Sequence, residues 1–152
     1  METTEKNVTG NQIITFRLAN ENFGLDIRRV ERIAPLEQIT KVPRAPVFVS
    51  GIMNLAGRII TLVDLSRILE LDEAGKHEQV IILTGEGIHI GLLIGFVSDV
   101  ITLDEEAMSS GTVSFRADEK NLISTVTNIG GRIINLLDIA KLFEHITNSF
   151  VK

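Results

Sequence analysis

The chain has no cysteine, no tyrosine and no tryptophan, and only three prolines in 152 residues. Without cysteine there are no disulfide staples and no thiol chemistry. Seven phenylalanines are the whole aromatic content. That is poor material for the stacking platforms of single-stranded nucleic-acid binding or for an aromatic-walled proline-peptide groove. Positive charge is short too: 15 Lys and Arg against 20 Asp and Glu leave a net charge of −5. This argues against nucleic acid and anionic lipid as partners. No apolar run approaches the ~18 residues that span a bilayer, so no direct membrane insertion is expected. Met1–Gly10 is polar and acidic, unlike a secretory leader. The expected compartment is the cytoplasm.

Signatures of catalysis are also missing. There is no GxxxxGK[ST], no GxGxxG after a strand, no HExxH and no GxSxG elbow. His77, His89 and His145 lie far apart in the sequence and read as solvated or structural. Asp104-Glu-Glu106 reads as a solvated loop or helix start, its charge favourable near a helix N-terminus. No catalytic residue, metal ligand or cofactor is expected.

What the chain does have is a repeat. Asn54–Leu69 returns as Asn128–Phe143, identical at seven of sixteen positions. Upstream, Phe23-Gly-Leu-Asp-Ile-Arg-Arg-Val-Glu-Arg-Ile33 matches Ile90-Gly-Leu-Leu-Ile-Gly-Phe-Val-Ser-Asp-Val100 in its glycine and apolar positions. The offset is 67 residues there and 74 in the later motif, so the second copy carries about seven extra residues, expected in a polar loop over Leu103–Asp118. One supersecondary unit is used twice. Two copies of some 65 residues each bury too little surface to stand alone, so they are expected to share one core of Ile, Leu, Val and Phe. The approximate repeat halves are 12–78 and 79–146, within a domain over 12–150; residues 1–11 read as a mobile arm.

Each half reads as short strands and turns. Gln12–Leu18 and Phe23–Ile27 form a hairpin around Ala19–Asn22. Val80–Thr84 and Ile88–Ile94 form its counterpart around Gly85-Glu-Gly87. Val47–Asn54 with Arg58–Val63, and Leu122–Asn128 with Arg132–Leu137, form the second pair. The strands after those turns are apolar on both faces, as burial between two layers requires. Asp64 and Asp138 follow, each placed to cap a short helix. Pro35, Pro43 and Pro46 mark Leu36–Ala45 as an edge or connector. Many short strands of this kind indicate small barrels or a sandwich.

Three ordered motifs carry a family resemblance. Gly51-Ile-Met-Asn-Leu-Ala-Gly57, followed by Arg-Ile-Ile-Thr-Leu-Val-Asp-Leu65, resembles the central signature of the CheW family. Phe23–Ile33 resembles its earlier stretch, and Ile39-Thr-Lys-Val-Pro43 its I-x-x-V-P connector. The resemblance runs from about Gln12 to Ile146. It implies a mainly β fold: two SH3-like five-stranded β-barrels packed on a shared apolar core, with short helices including one at the C-terminus. It implies a non-enzymatic, cofactor-free chemotaxis adaptor, recruited to membrane-associated receptor arrays. The implied partners are a chemoreceptor cytoplasmic tip and the regulatory domain of a CheA-like histidine kinase. Weak self-association is compatible with the way such barrels pair. The same domain also occurs inside CheA and joined to a receiver domain; a chain ending at Lys152 fits the stand-alone adaptor better.

Departures from the family pattern fall at two charged positions. Ala56 stands where the signature usually has Arg, and Arg32 where the earlier stretch usually has Glu; Thr61 replaces a frequent Pro. In the family those two charges lie near the receptor-binding surface, so a divergent relative serving a particular receptor class is one expectation. The expected receptor groove comprises Ile14, Ile27, Val30, Arg32, Ile33, Ala56 and Val97, with no residue assigned to kinase contact. Ile27, Val30 and Ile33 recur every third residue among charged neighbours, although for Ile14 and Ile27 burial in the core competes with that reading. Alternatives are a scaffold for another receptor–kinase pathway, or a small-ligand-binding or enzymatic double barrel.

Overall fold

The computed structural model describes residues 11–71, 76–85, 87–103 and 122–150. Of the expected arm over residues 1–11, residues 1–10 lie outside them, while Asn11 instead begins the first strand; the expected loop after Leu103 and the acidic run 104–106 also lie outside them. The described elements are β1 (Asn11–Leu18), β2 (Glu21–Asp26), a 3-10 turn (Ile27–Arg29), β3 (Val30–Pro35), β4 (Val49–Leu55), β5 (Arg58–Val63) and α1 (Leu65–Ile68). They continue with β6 (Gln79–Leu83), β7 (Ile90–Ile94), β8 (Val97–Leu103), β9 (Ile123–Ile129), β10 (Arg132–Leu137) and α2 (Ile139–Phe150).

The turns follow from sequence. Ala19-Asn20, Ala56-Gly57 and Gly130-Gly131 all have positive φ at both residues, the conformation whose twist matches flanking strands in two-residue hairpins. Asn54 Oδ1 accepts the Gly57 N–H at 3.1 Å and Asn128 Oδ1 accepts the Gly131 N–H at 3.0 Å. The asparagine that opens both copies of the repeat therefore closes the turn behind it. Gly51 has a different task. The connector's Thr40 bridges to Ile52, and a Cβ on Gly51 would lie 2.4 Å from the Thr40 carbonyl oxygen.

The strands form two five-stranded sheets, β9-β10-β2-β1-β8 (barrel one) and β3-β6-β7-β5-β4 (barrel two). This is the mainly β, SH3-like double barrel that the resemblance implies. The sheets do not follow the repeat halves 12–78 and 79–146. Each half exchanges its first hairpin. Hairpin β1–β2 inserts between β8 and β10 of the other half, and β6–β7 inserts between β3 and β5. The insertions are made by equivalent parallel pairings, Asn22–Gly24 along Ile134–Leu136 and Ile90–Leu92 along Thr61–Val63. Alone, a half would leave the inner edges of its third strand and second hairpin unpaired. The other half's hairpin satisfies both.

The shared core lies between the sheets. Phe16, Phe23, Leu25, Val63, Ile81, Ile90, Leu92 and Leu137 meet there with Leu65 and Ile68 of α1 and Ile139, Leu142 and Ile146 of α2. Each barrel has its own interior on the opposite sheet face. Central strands are thus covered on both sides, which is why every residue of β7 is buried. The helices are capped as their aspartates predict. Asp64 accepts the Ser66 N–H at 3.1 Å and the Ser66 hydroxyl at 2.5 Å. Asp138 accepts the Lys141 N–H at 3.1 Å.

Candidate functional site

Because the hairpins are exchanged, the chain crosses from one barrel to the other twice, at Ile27–Arg29 and at Gly95-Phe96. The first crossover is fixed by Asp26, whose carboxylate accepts the Arg28 N–H at 2.9 Å and pairs with its guanidinium at 2.7 Å. The Arg29 carbonyl accepts the Thr84 N–H at 2.8 Å, tying the crossover to barrel two. After the second crossover the Val97 N–H donates to Gln79 Oε1 at 2.9 Å. Gln79 is the cross-strand partner of Pro35, so the start of β8 is tied to the strand that pairs with β3. Both β8 and β3 are edge strands of their sheets. Both strands carry side chains packed against the shared core, and the strip of surface between them is where the expected receptor groove would lie.

The side chains along this strip are aliphatic. Val30, Ile33 and Val97 are partly buried against the shared core, as is Ile27 in the crossover. These four residues of the expected set pack against the same core cluster. Ile14 does not join them: it is 3% exposed, a core residue on central strand β1 flanked by β2 and β8. Its place at the surface is taken by its cross-strand partner Val100, which is 48% exposed. Phe96, at the second crossover, is 61% exposed. Sequence reasoning missed both. The available signal was the aromatic side chain at Phe96, where the first copy of the repeat has Arg29.

Arg32 and Ala56 lie elsewhere. A bulge at Glu31 shifts the β3 register between Val30 and Arg32. Arg32 then pairs with Ile82, whose side chain belongs to the interior of barrel two. It is thus turned away from the Val30–Ile33 row, toward the mouth of that barrel. Ala56 occupies the exposed β4–β5 turn. These two segments are joined by an ion pair, with Arg58 Nη1 at 3.1 Å from Glu31 Oε1 and a second contact between Arg58 Nη2 and Glu31 Oε2. Barrel one has the matching seam. Arg132 Nη1 reaches Asp99 Oδ2 at 3.1 Å, and the Thr15 hydroxyl donates to the same carboxylate. Arg58 and Arg132 are the arginines that follow the turn in both copies of the repeat, so one residue type closes both barrels. The Arg58 guanidinium holds the Glu31 carboxyl below its usual range. The Thr15 hydroxyl, and then Arg132, do the same for Asp99.

A cleft of about 730 Å³ lies beside the β9–β10 ribbon and the β1–β2 turn, lined by Glu21, Asn22, Asn128, Arg132, Ile133 and Asn135 among others. Asn135 is engaged there, donating to the Asn22 carbonyl at 3.0 Å. Among the described residues no three His, Cys, Asp or Glu cluster as metal ligands, and no helix is long and apolar enough to cross a membrane. His145 packs at 5.5 Å from the Phe48 ring, beside the shared core.

Residues 12–147 match the CheW-like domain family. A chemotaxis protein CheW from Thermotoga maritima is 31% identical over 139 residues, covering 90% of this chain and 89% of the relative. One from Treponema pallidum is 30% identical, covering 88% and 82%. Among solved structures, the scaffolding protein TtCheW from Thermoanaerobacter tengcongensis superposes with a TM-score of 0.78 at 26% identity, over 91% of each chain.

Proposed function

The chain belongs to the CheW family of chemotaxis coupling scaffolds, and we propose that it joins the cytoplasmic tip of a chemoreceptor to the regulatory domain of a CheA-type histidine kinase. In this reading it works in the cytoplasm without catalysis or cofactor, and residues 12–150 act as one unit, because neither half completes a sheet alone. The observation that supports the reading is apolar surface on two edge strands: Val30 and Ile33 of β3 and Val97 of β8 are partly buried against the shared core, and Phe96 and Val100 on either side of Val97 in the chain are exposed. Contiguous apolar surface on an otherwise charged protein marks a contact site. A receptor tip is helical, and an apolar groove takes a helix by its i, i+3, i+4 anchors.

Two experiments test it. A pull-down from native cytoplasm should recover a CheA-like kinase together with receptors. Ile33→Asp should lose receptor recovery with unchanged circular dichroism. Wild-type-like recovery by folded Ile33→Asp removes the groove from the site, and a melting-point rise with any nucleotide or metal counts against a pure adaptor.

A further inference from the structure

The β9–β10 ribbon of barrel one gathers four side chains on its outer face. Directly opposed residues share a face of an antiparallel pair, as do alternate residues along a strand. Val126 is opposite Asn135 and Asn128 is opposite Ile133, so these four stand together. Thr127 and Ile134, the pair between them, have the other parity, and Ile134 belongs to the barrel interior. The four line the cleft of about 730 Å³ beside the β1–β2 turn, within the ~300–1,000 Å³ of small-molecule sites. Ile133 is 57% exposed there and Asn135 only 4%.

The two asparagines are half used. Asn135 Nδ2 donates to the Asn22 carbonyl at 3.0 Å and to Glu21 Oε1 at 3.4 Å. Its Oδ1 accepts no hydrogen bond among the described residues. An acceptor left without a donor in so buried a residue is costly. Asn128 is the reverse case. Its Oδ1 is spent on the Gly131 N–H, and its Nδ2 donates to no described residue. The repeat separates their roles. Asn128 has a turn-closing counterpart in Asn54, whereas Asn135 corresponds to Thr61, so the Asn135 amide is no part of the shared plan. Both charges in the lining are engaged, Glu21 by Asn135 and Arg132 by Asp99. The lining therefore offers an amide acceptor, an amide donor and the aliphatic surface of Val126 and Ile133, with no charge left to attract an ion.

We infer that this cleft binds an uncharged small molecule bearing a primary carboxamide on an aliphatic body. The ligand N–H donates to Asn135 Oδ1, its carbonyl accepts from Asn128 Nδ2, and its body covers Val126 and Ile133. Diagonal neighbours such as Asn128 and Asn135 stand ~7–8 Å apart across a ribbon, a span that one carboxamide bridges with a hydrogen bond of ~2.9 Å at each end. An ester of the same shape leaves the Asn135 acceptor unpaired, and a carboxylate brings a charge that nothing in the lining matches. The site lies on β9 and β10, apart from β3 and β8, so its test is independent of the receptor reading.

The probe is cyclohexanecarboxamide, titrated into the nitrogen-15-labelled full chain and followed by amide NMR. The side-chain NH2 signals of Asn128 and Asn135 and the backbone signal of Ile133 should move together along one binding curve. Methyl cyclohexanecarboxylate, with the same body and no N–H, should bind about tenfold more weakly. Cyclohexanecarboxylate at neutral pH should leave these signals in place. Asn135→Thr, which installs the residue found at the equivalent place in barrel two, should weaken carboxamide binding about tenfold and remove the preference over the ester. Ile133→Ser changes an exposed position and should weaken amide and ester alike. Circular dichroism confirms that the variants are folded, and should Asn135→Thr unfold, Ile133→Ser and the ester comparison decide. No movement of these signals up to the solubility limit of the probe overturns the site. So does an ester that binds as well as the amide, or binding that a folded Asn135→Thr or Ile133→Ser leaves unchanged.

Discussion

Barrel two is filled by Ala34, Met53, Ile60, Leu62, Val80, Ile82 and Leu93. Among the described residues of barrel one, Ile13, Leu103, Ile134 and Leu136 form the corresponding cluster. The repeat makes particular positions comparable. Met53, 1% exposed, corresponds to Thr127, which is fully buried and whose hydroxyl has no partner among the described residues. Gly91 corresponds to Gly24. A Cβ on Gly91 would lie 2.4 Å from Val80 Cγ1 and 2.9 Å from Ile60 Cγ2, whereas on Gly24 the nearest atom, Ile13 Cδ1, is 3.1 Å away. Backbone devices have been kept in both copies: the Asn-closed turn, the Arg seam and the Asp cap. Interior volume has not. A duplicated unit is held to its plan wherever backbone groups need partners. Its side-chain packing drifts, because cores tolerate many fillings of similar volume.

The largest expected contrast is at Met53 and Thr127. Met53→Ala should cost ~2–5 kcal/mol, the lost transfer energy plus a cavity that closes only in part. Thr127→Val should raise stability by about 1 kcal/mol, because it removes a buried hydroxyl left without a hydrogen bond. Urea melts of both variants measure this. A destabilising Thr127→Val would mean that the hydroxyl is satisfied, and the contrast between the interiors would lose its polar half.

The glycines sharpen the same comparison. Gly91→Ala pushes a methyl into two β-branched side chains that are themselves fully buried, and it should cost ~1–3 kcal/mol. Gly24→Ala meets three side-chain methyls, Ile13 Cδ1 at 3.1 Å and Ile134 Cγ2 and Leu136 Cδ2 at 3.2 Å, each of which need give only a few tenths of an ångström. It should cost clearly less than Gly91→Ala, because part of the strain is offset through the unfolded chain. Equal urea midpoints for the two variants would break the claim that barrel two is the tighter.

The repeat made the hairpins, their turns, the doubly buried strands and both caps legible in the sequence, because each is a local pattern with a local cause. The pairing of the halves was not legible. Phe23–Leu25 can lie along its own β5 or along β10 with the same apolar faces, and a repeat, by making the two alike, hides the choice. The candidate site was half legible for the same reason. Val30 lies between Arg29 and Glu31 and Ile33 follows Arg32, which signals a surface. Ile14 lies between Ile13 and Thr15 on a strand whose neighbours come from both halves, so its burial depends on the exchange. The bulge at Glu31 turned Arg32 to the other side of β3, and no residue-level pattern announces that.

The caps compare the two ends of the repeat and should show a smaller effect. Asp64 is 8% exposed and accepts two hydrogen bonds from Ser66, with Arg67 at 3.6 Å. Asp138 accepts the Lys141 N–H alone among the contacts resolved at its side chain. Substitution of a capping Asp by Ala costs ~0.5–2 kcal/mol. Asp64→Ala should lie at the upper end of that range and Asp138→Ala at the lower. Asp→Ser should retain most of the stability at both, since its oxygen accepts the same backbone N–H. Urea midpoints of all four variants that match the parent would mean that neither aspartate caps a helix that matters.

The smallest expected effect concerns the two seams, and its sign is fixed by the carboxyls. Glu31 and Asp99 both titrate below their ordinary range in the folded protein. A carboxyl with a depressed folded pKa contributes stability that is fully present above its unfolded value, near 4, and is lost as pH falls through the folded value. Both seams should therefore hold at neutral pH and weaken in acid. They differ in their donors. Glu31 is held by Arg58, both side chains about one-third exposed. Asp99 is held first by the hydroxyl of fully buried Thr15 and then by Arg132. A donor fixed in the core loses little freedom on bonding, whereas an exposed ion pair must hold two long side chains still and is screened by salt. Removing the Asp99 charge should consequently flatten the acid limb of stability more than removing that of Glu31. Melting temperatures of Asp99→Asn and Glu31→Gln between pH 7 and pH 3, at low and high salt, read this out. The parent should fall most below about pH 4, Glu31→Gln slightly less and Asp99→Asn least, and salt should diminish the Glu31 contribution more. A larger flattening in Glu31→Gln would place the stronger seam in barrel two, so that closure as well as packing would favour that barrel.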